Sequence, residues 1–460
     1  MVRPGRNLRT RRRRSGYSAR IAETLAPTTT NRSAYRKLFS ASVISNLGDG
    51  VGQIAYPWLA SAVTRNPLLI ALVAVAQRLP WLLFSLPAGV ITDRNDRRAL
   101  MSRMNAIRAV LTVGVAVLVL IRSSDLPGPD EIATAVVSND ALLYLAILLA
   151  TLLLGTCEVL YDNSSQTFLP AIVAPADLER ANGRMWSAEM VANSFAGPPL
   201  GALLLAAGFA LPFFLDAGSF AASAALIVSM RGVPRRQRPL GDTPPSFRAE
   251  LKEGLGWLWA HELLRPLAIT LGLLNAIGMM TTANLVLFAQ ESLHTSATEF
   301  ALLGTGAAIG GVLGGWIASP VAKKLGPGPS LWLVLVGGGV FTALIGFAQN
   351  WYPVWLLTLL YICLGVIWNV ITVSLRQRII PDRLLGRVNS VYRFFAGGMM
   401  PLGSLLGGAL VVAVDKFASR DLALRVPWFV AGALHLVLFA FAAPKLTTAA
   451  IRRAEARPVG

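Results

Sequence analysis

Asp49, Arg78, Arg108, Glu158, Asp162, Glu189, Asp216 and Arg393 all stand inside long apolar stretches. A charge in such a setting is costly unless it faces a partner or a water-filled cavity, so each is a candidate for function. Carboxylates so placed suit proton binding. Burial strengthens a carboxylate's hold on its proton and a neighbouring arginine weakens it, so hydration or cargo can tip the balance. Asp49 lies ~15 Å from the nearer end of its stretch, Arg78 ~16 Å from the end of its own, and Glu158 is about as deep. These three are the expected proton-coupling cluster, with Arg78 orienting and neutralising an acid. Glu189, Arg393 and Arg108 stand close to an end of their stretches, where snorkelling accounts for a charge. Asp216 stands about two turns from the other end.

The remaining reactive residue types exclude more than they suggest. Cys157 and Cys363 lie in apolar stretches, and His261, His294 and His435 are scattered, without metal-ligand spacing. There is no nucleophile–base pairing and no Gly-x-x-x-x-Gly-Lys-Ser/Thr loop for a nucleoside triphosphate. The expectation is a protein that is not an enzyme, carries no cofactor or metal, and is driven by an ion gradient.

The elements that hold these residues are set by composition. Hydrophobic residues make up 54% of the 460-residue chain and charged residues 14%, with a mean hydropathy of +0.56. A soluble domain carries about 25% charge, so lipid is the main solvent. Apolar runs of spanning length fall at 39–62, 68–91, 104–121, 141–161, 185–207 and 209–230. Six more fall at 266–288, 300–321, 330–348, 353–375, 389–414 and 426–443. The expected fold is all-α and polytopic, twelve transmembrane helices in two six-helix bundles, 38–230 and 266–443. A basic arm, 1–37, is expected to be disordered, and 444–460 forms a tail. The linker 231–265 includes a helical pattern with Phe247, Leu251, Leu255, Leu258 and Trp259 on one side, an amphipathic strap. Of the 42 Lys and Arg, only Arg65, Arg122, Lys416, Arg420 and Arg425 fall in connections on the face opposite the arm. The positive-inside rule therefore puts both termini in the cytoplasm. It also explains the net charge of +18 without a nucleic-acid partner. No cleavable signal peptide is expected, because the first apolar run is long.

The halves echo each other. Gly89, Arg97 and Arg98 match Gly315, Lys323 and Lys324, with Ser319 in place of Asp93. Cys157, Asn163, Pro175, Gly197 and Gly201 match Cys363, Asn369, Pro381, Gly403 and Gly407. The ladder Gly306, Gly310, Gly314 suits a close helix crossing.

The stretch Gly89-Val-Ile-Thr-Asp-Arg-Asn-Asp-Arg-Arg98 resembles the loop signature of the major facilitator superfamily, at Gly89, Asp93, Arg94, Arg97 and Arg98. Asp96 replaces a glycine there, and Asn95-Asp96 still tolerates a left-handed turn. Gly197, Pro198 and Gly201 resemble the family's antiporter motif, with Asn193 and Ala202 in place of its outer glycines. Asn46-Leu-Gly-Asp49, Gly155-Thr-Cys-Glu158 and Leu169-Pro170 are similar to the branch of macrolide, drug and enterobactin exporters. The resemblance implies alternating access in the bacterial plasma membrane, by a monomer that exports a hydrophobic or amphiphilic small molecule against protons. Export of a siderophore is the alternative, and a non-transporting sensor or assembly factor is the alternative of another class. It also implies a gate in which Asp93 meets the N-terminus of the eleventh helix near Asn389, a charge–dipole contact of about 0.3–1 kcal/mol. The second half lacks embedded carboxylates, so Asn275, Trp368 and Asn369 are its expected cargo contacts.

Overall fold

The computed structural model describes residues 29–128, 132, 140–231 and 247–456. Among these, every regular element is helical. Polar residues ahead of apolar runs set the starts. Asn31 caps α1 (Arg32–Val63), Asn66 caps α2 (Pro67–Arg94), Asp96 caps α3 (Arg97–Ile121) and Asp140 caps α4 (Ala141–Phe168). Each side chain accepts a bond from a first-turn N–H that the helix itself leaves unpaired. α5 (Leu178–Met190) passes through a π-helical turn, Val191–Ala196, into α6 (Gly197–Ala207), and α7 (Leu211–Val228) completes the first half. The linker contributes α8 (Phe247–Ala260). α9 (Leu264–Thr282) continues through Leu285–Leu287 into a second π-helical turn, Phe288–Ser292. α10 (Ala297–Leu325) opens on a capping box between Ser296 and Glu299. α11 (Pro327–Ile345), α12 (Trp351–Ile379), α13 (Asp382–Val414), α14 (Arg420–Ala442) and the short α15 (Thr448–Ala456) follow.

Eleven of these helical segments are long and apolar enough to cross a membrane. α1 is less apolar because Ser42, Ser45, Asn46, Asp49 and Gln53 interrupt it. With 32 residues it is nevertheless long enough, and it packs among the others against α6 and α7. It makes the twelfth.

The two halves repeat the same pairings. α2 packs on α4 as α10 packs on α12, and α3 packs on α7 as α11 packs on α14. The glycines explain the closest crossings. A Cβ on Gly306 or Gly314 would sit 2.7 or 2.8 Å from the carbonyl oxygens of Trp355 and Cys363, and one on Gly310 would overlap that of Leu359. Gly197 and Gly201 meet the backbone of α1 at Gly50 and Val51 in the first half, and their counterparts Gly403 and Gly407 meet the Ala276 and Met280 carbonyls of α9 in the second. Backbones this close exclude any side chain.

One segment differs from expectation. α1 starts at Arg32, inside the stretch expected to be disordered, because local polar bonds hold it. The Asn31 amide donates to the Ile172 carbonyl at 2.8 Å, the Thr30 hydroxyl donates to Asp177 at 2.7 Å, and Lys37 reaches the Ser229 carbonyl at 2.7 Å. Residues 1–28 of that arm, and 232–246 of the linker, lie outside the described residues. α8 docks on α13: Leu258 is buried, Glu253 pairs with Arg387, and Trp259 stacks on Phe395 at 6.0 Å. The tail forms α15, which buries Ile451 and ties Glu455 to Arg378 at 3.0 Å.

Apolar packing divides the molecule unequally. One cluster joins both halves, with Trp58 of α1 against Phe300 of α10 and Phe288 against Trp428. It lies at the end opposite Gly89–Arg98. The other two clusters each belong to one half, the smaller around Leu38, Met101 and Phe168, the larger around Trp368 and Tyr392.

Candidate functional site

The centre of the first half is Arg108. On α3, Asn105, Arg108, Ala109 and Thr112 share the buried face at helical spacing. Arg108 is 3% exposed, its guanidinium lies 3.9 Å from the Phe220 ring centre of α7, and it donates to Asp49 in an ion pair. The expectation that Arg108 snorkels is therefore corrected. The apolar run at 104–121 hides the fact that α3 begins at Arg97, which puts Arg108 ~16 Å into the helix at 1.5 Å per residue. Arg78, the expected partner of the acids, is exposed on α2, and no ion pair to it occurs among the described residues.

Acids on three helices surround Arg108. Asp49 comes from α1, Asp216 from α7, and Glu158 and Asp162 from α4, where one turn separates them. All four act on the guanidinium electrostatically. Asp216 is 3% exposed and lies against the bare backbone of α1, where a Cβ on Gly48 would come within 2.5 Å of its Oδ1. Glu189 is exposed at the edge of this core, close enough to act electrostatically on Glu158 and Asp162. Asn105 donates to the Ser223 hydroxyl at 2.8 Å. Asp216 Oδ1 has no hydrogen-bond partner among the described residues. One arginine cannot neutralise four carboxylates, so the arrangement can hold protons and exchange them as its hydration changes. The polar spacing along α3 is the signal in the sequence that points to Arg108.

The hinge arginines tie helix ends together. Arg97 donates to the Thr167 carbonyl at 2.6 Å, at the end of α4. Arg98 donates to the carbonyls of Val228, at 2.8 Å, and Met230, at the end of α7. Cations here meet the negative ends of helix dipoles. Arg94 is exposed, and the side chain of Asp93 lies outside the described residues. The loop needs no left-handed residue: Asn95 is extended at φ −114°, and Asp96 serves as the α3 cap, accepting from the Ala99 amide at 2.9 Å. Asn389 does not mark a helix start either. α13 begins at Asp382 after Pro381, so the amides near Asn389 are already committed within the helix. Gly89 and its counterpart Gly315 face open space. Arg98→Gln is expected to cost about 1 kcal/mol, seen as an earlier thermal melt in detergent. Gly89→Ala should leave the melt unchanged.

Gly197, Pro198 and Gly201 form the tightest crossing of α6 on α1. A Cβ on Gly197 would sit 2.7 Å from the Gly50 carbonyl carbon, and Asn193 in the π-helical turn bonds to Gln53. In the second half the expected cargo residues separate. Asn275 donates to the Ala396 carbonyl at 3.0 Å, tying α9 to α13, and Asn369 is exposed. Trp368 is 2% exposed, inside the large cluster.

The chain was compared with known families, proteins and structures. The model described as Major Facilitator Superfamily matches residues 38–397 and 269–459. The multidrug efflux pump Tap of Mycolicibacterium fortuitum is 27% identical over 426 residues, which cover 89% of this chain and 97% of that protein. The enterobactin exporter EntS of Citrobacter koseri is 24% identical over 399 residues, 84% and 88% of the two chains. A bacterial homologue of the human lysosomal transporter Spinster, inward-facing and unoccupied, superposes with a TM-score of 0.67 at 15% identity, covering 93% of this chain and 99% of that one. A bacterial homologue of the iron transporter ferroportin, inward-facing, gives 0.67 at 16% identity, with 92% and 99% covered. At such identities the solved structures speak to fold alone.

Proposed function

Because the chain belongs to the major facilitator superfamily and is a multi-pass membrane transporter, we propose that it exports a hydrophobic or amphiphilic, drug-like small molecule in exchange for protons. The observation that carries this reading is the buried arginine of one half, ringed by Asp49, Glu158, Asp162 and Asp216. The relatives named as a multidrug pump and an enterobactin exporter support the outward direction. In this reading Asp49 and Glu158 carry the proton, Arg108 sets their balance, and the charge of Arg78 adds to it at Glu158. Cargo sits between the halves, with Asn369 among the contacts from the second. Gly89–Arg98 faces the cytoplasm with both termini, in a bacterial inner membrane, and the protein works as a monomer. Asp93 biases the gate. Siderophore export is the second reading, favoured by the similarity to EntS along most of the chain.

Everted vesicles from expressing cells provide the test, using a panel of fluorescent amphiphiles together with a catecholate siderophore. Uptake of an amphiphile that stops when the pH gradient is collapsed is the expected result. Uptake of the siderophore alone selects the second reading, and gradient-independent uptake contradicts proton exchange.

A further inference from the structure

At the end opposite Gly89–Arg98, the two halves are joined by charge as well as by apolar packing. Gln290 and Glu291 lie in the π-helical turn Phe288–Ser292, an irregularity that often marks functional sites. Both reach the first half. Gln290 accepts from Arg65 at 2.5 Å and donates to the Ser61 hydroxyl at 2.9 Å. Glu291 is shared by two arginines: one oxygen lies 2.6 Å from Arg65 Nη2, and the other accepts from Arg420 Nε at 2.8 Å. Arg420 also donates to Asp415 at 2.9 Å and across the divide to the Arg65 carbonyl at 2.7 Å. Three connections are thereby knotted together: that between α1 and α2, that after α9, and that between α13 and α14. Beside them a Cβ on Gly408 of α13 would come within 2.9 Å of the Pro67 carbonyl, so the helices are in contact here.

Apolar packing alone is non-directional, and lipid removes much of its advantage. A charge shared across the divide fixes register and can be released as a unit. The side chains of Arg65, Glu291 and Arg420 are 21%, 15% and 29% exposed, so water and salt reach them. We propose that Arg65 and Arg420, gripping Glu291 between them, are the latch that holds this end of the transporter shut. Release of Glu291 is the event that lets the halves part there. The inference rests on the two-half fold and on membership of a transporter family. It does not depend on which acid carries the proton or on the cargo.

The test uses the full chain in lipid nanodiscs, with spin labels on Ser124→Cys and Gln349→Cys. These positions are exposed, stand at this end, and belong to different halves. The native Cys157 and Cys363 are buried. Glu291→Gln is expected to raise the ratio of long to short label separations about tenfold, as for loss of a partly buried charge pair. Glu291→Asp, which keeps an anion between the two arginines, should lengthen the distribution far less. High salt on the wild-type chain should lengthen the distribution in the same direction, which provides the reading if Glu291→Gln fails to insert. Distributions unmoved by both Glu291→Gln and salt would overturn the latch. So would a Glu291→Asp distribution as long as that of Glu291→Gln.

Discussion

Arg108→Gln is expected to abolish gradient-driven transport and to destabilise the first half by about 3–5 kcal/mol, the cost of leaving a buried charge without its partner. The magnitude follows from the geometry. Arg108 is the buried cation at the meeting of α1, α3, α4 and α7, and Asp49, Glu158, Asp162 and Asp216 all lean on it. Removing it leaves acids crowded in a low-dielectric interior with nothing to offset them. Asp49→Asn removes only one of several anions, and its side chain is 26% exposed, so water partly compensates. A loss of about 1 kcal/mol is expected there. A thermal melt in detergent should therefore rank Arg108→Gln well below Asp49→Asn. The reverse order would mean that the other acids do not depend on Arg108.

Gly403→Val is expected to cost about 3 kcal/mol or more and to prevent accumulation of folded protein. Even a Cβ on Gly403 would overlap the Ala276 carbonyl, a backbone atom that cannot move aside as a flexible side chain can. The two branched methyls of valine extend that overlap, so α13 must lift from α9 and give up the neighbouring contact of Gly407 with Met280. Gly218→Val is the control, because no atom lies within 4 Å of a Cβ there. It should stay within about 0.5 kcal/mol of the parent chain. Yield and monodispersity on size-exclusion chromatography separate the two variants.

Much of the fold is legible in the chain because a spanning helix needs a long apolar run and a soluble core does not. The duplicated glycines are legible for a similar reason: Gly197 and Gly201 recur as Gly403 and Gly407, and both pairs turn out to seat one helix on another's backbone. α1 departs from the rule because it carries polar residues into the core, so it is long enough but less apolar than its neighbours. The site is less legible. Depth counted from the edge of an apolar run misplaces Arg108, since α3 begins a turn and a half or more before its apolar part. Arg78 and Asp49 stand at similar depth, yet depth says nothing of which partners a side chain meets: Arg108 pairs with Asp49, while Arg78 is exposed and acts on Glu158 only through its charge. Trp368 shows the same gap, as an aromatic that composition cannot assign to cavity or core. The ties from Arg97 and Arg98 to the ends of α4 and α7 need tertiary structure altogether.

The central claim is that acids around Arg108 couple proton movement to transport. It is tested most directly by comparing two activities of Asp49→Asn and Glu158→Gln in everted vesicles loaded with an amphiphile that the wild-type protein exports. One is accumulation under an imposed pH gradient, and the other is exchange of labelled for unlabelled cargo without a gradient. Both variants are predicted to lose accumulation and keep exchange, since exchange needs the cavity and the gates but no net proton transfer. Accumulation at the wild-type level in both variants, under the same gradient, would contradict the account.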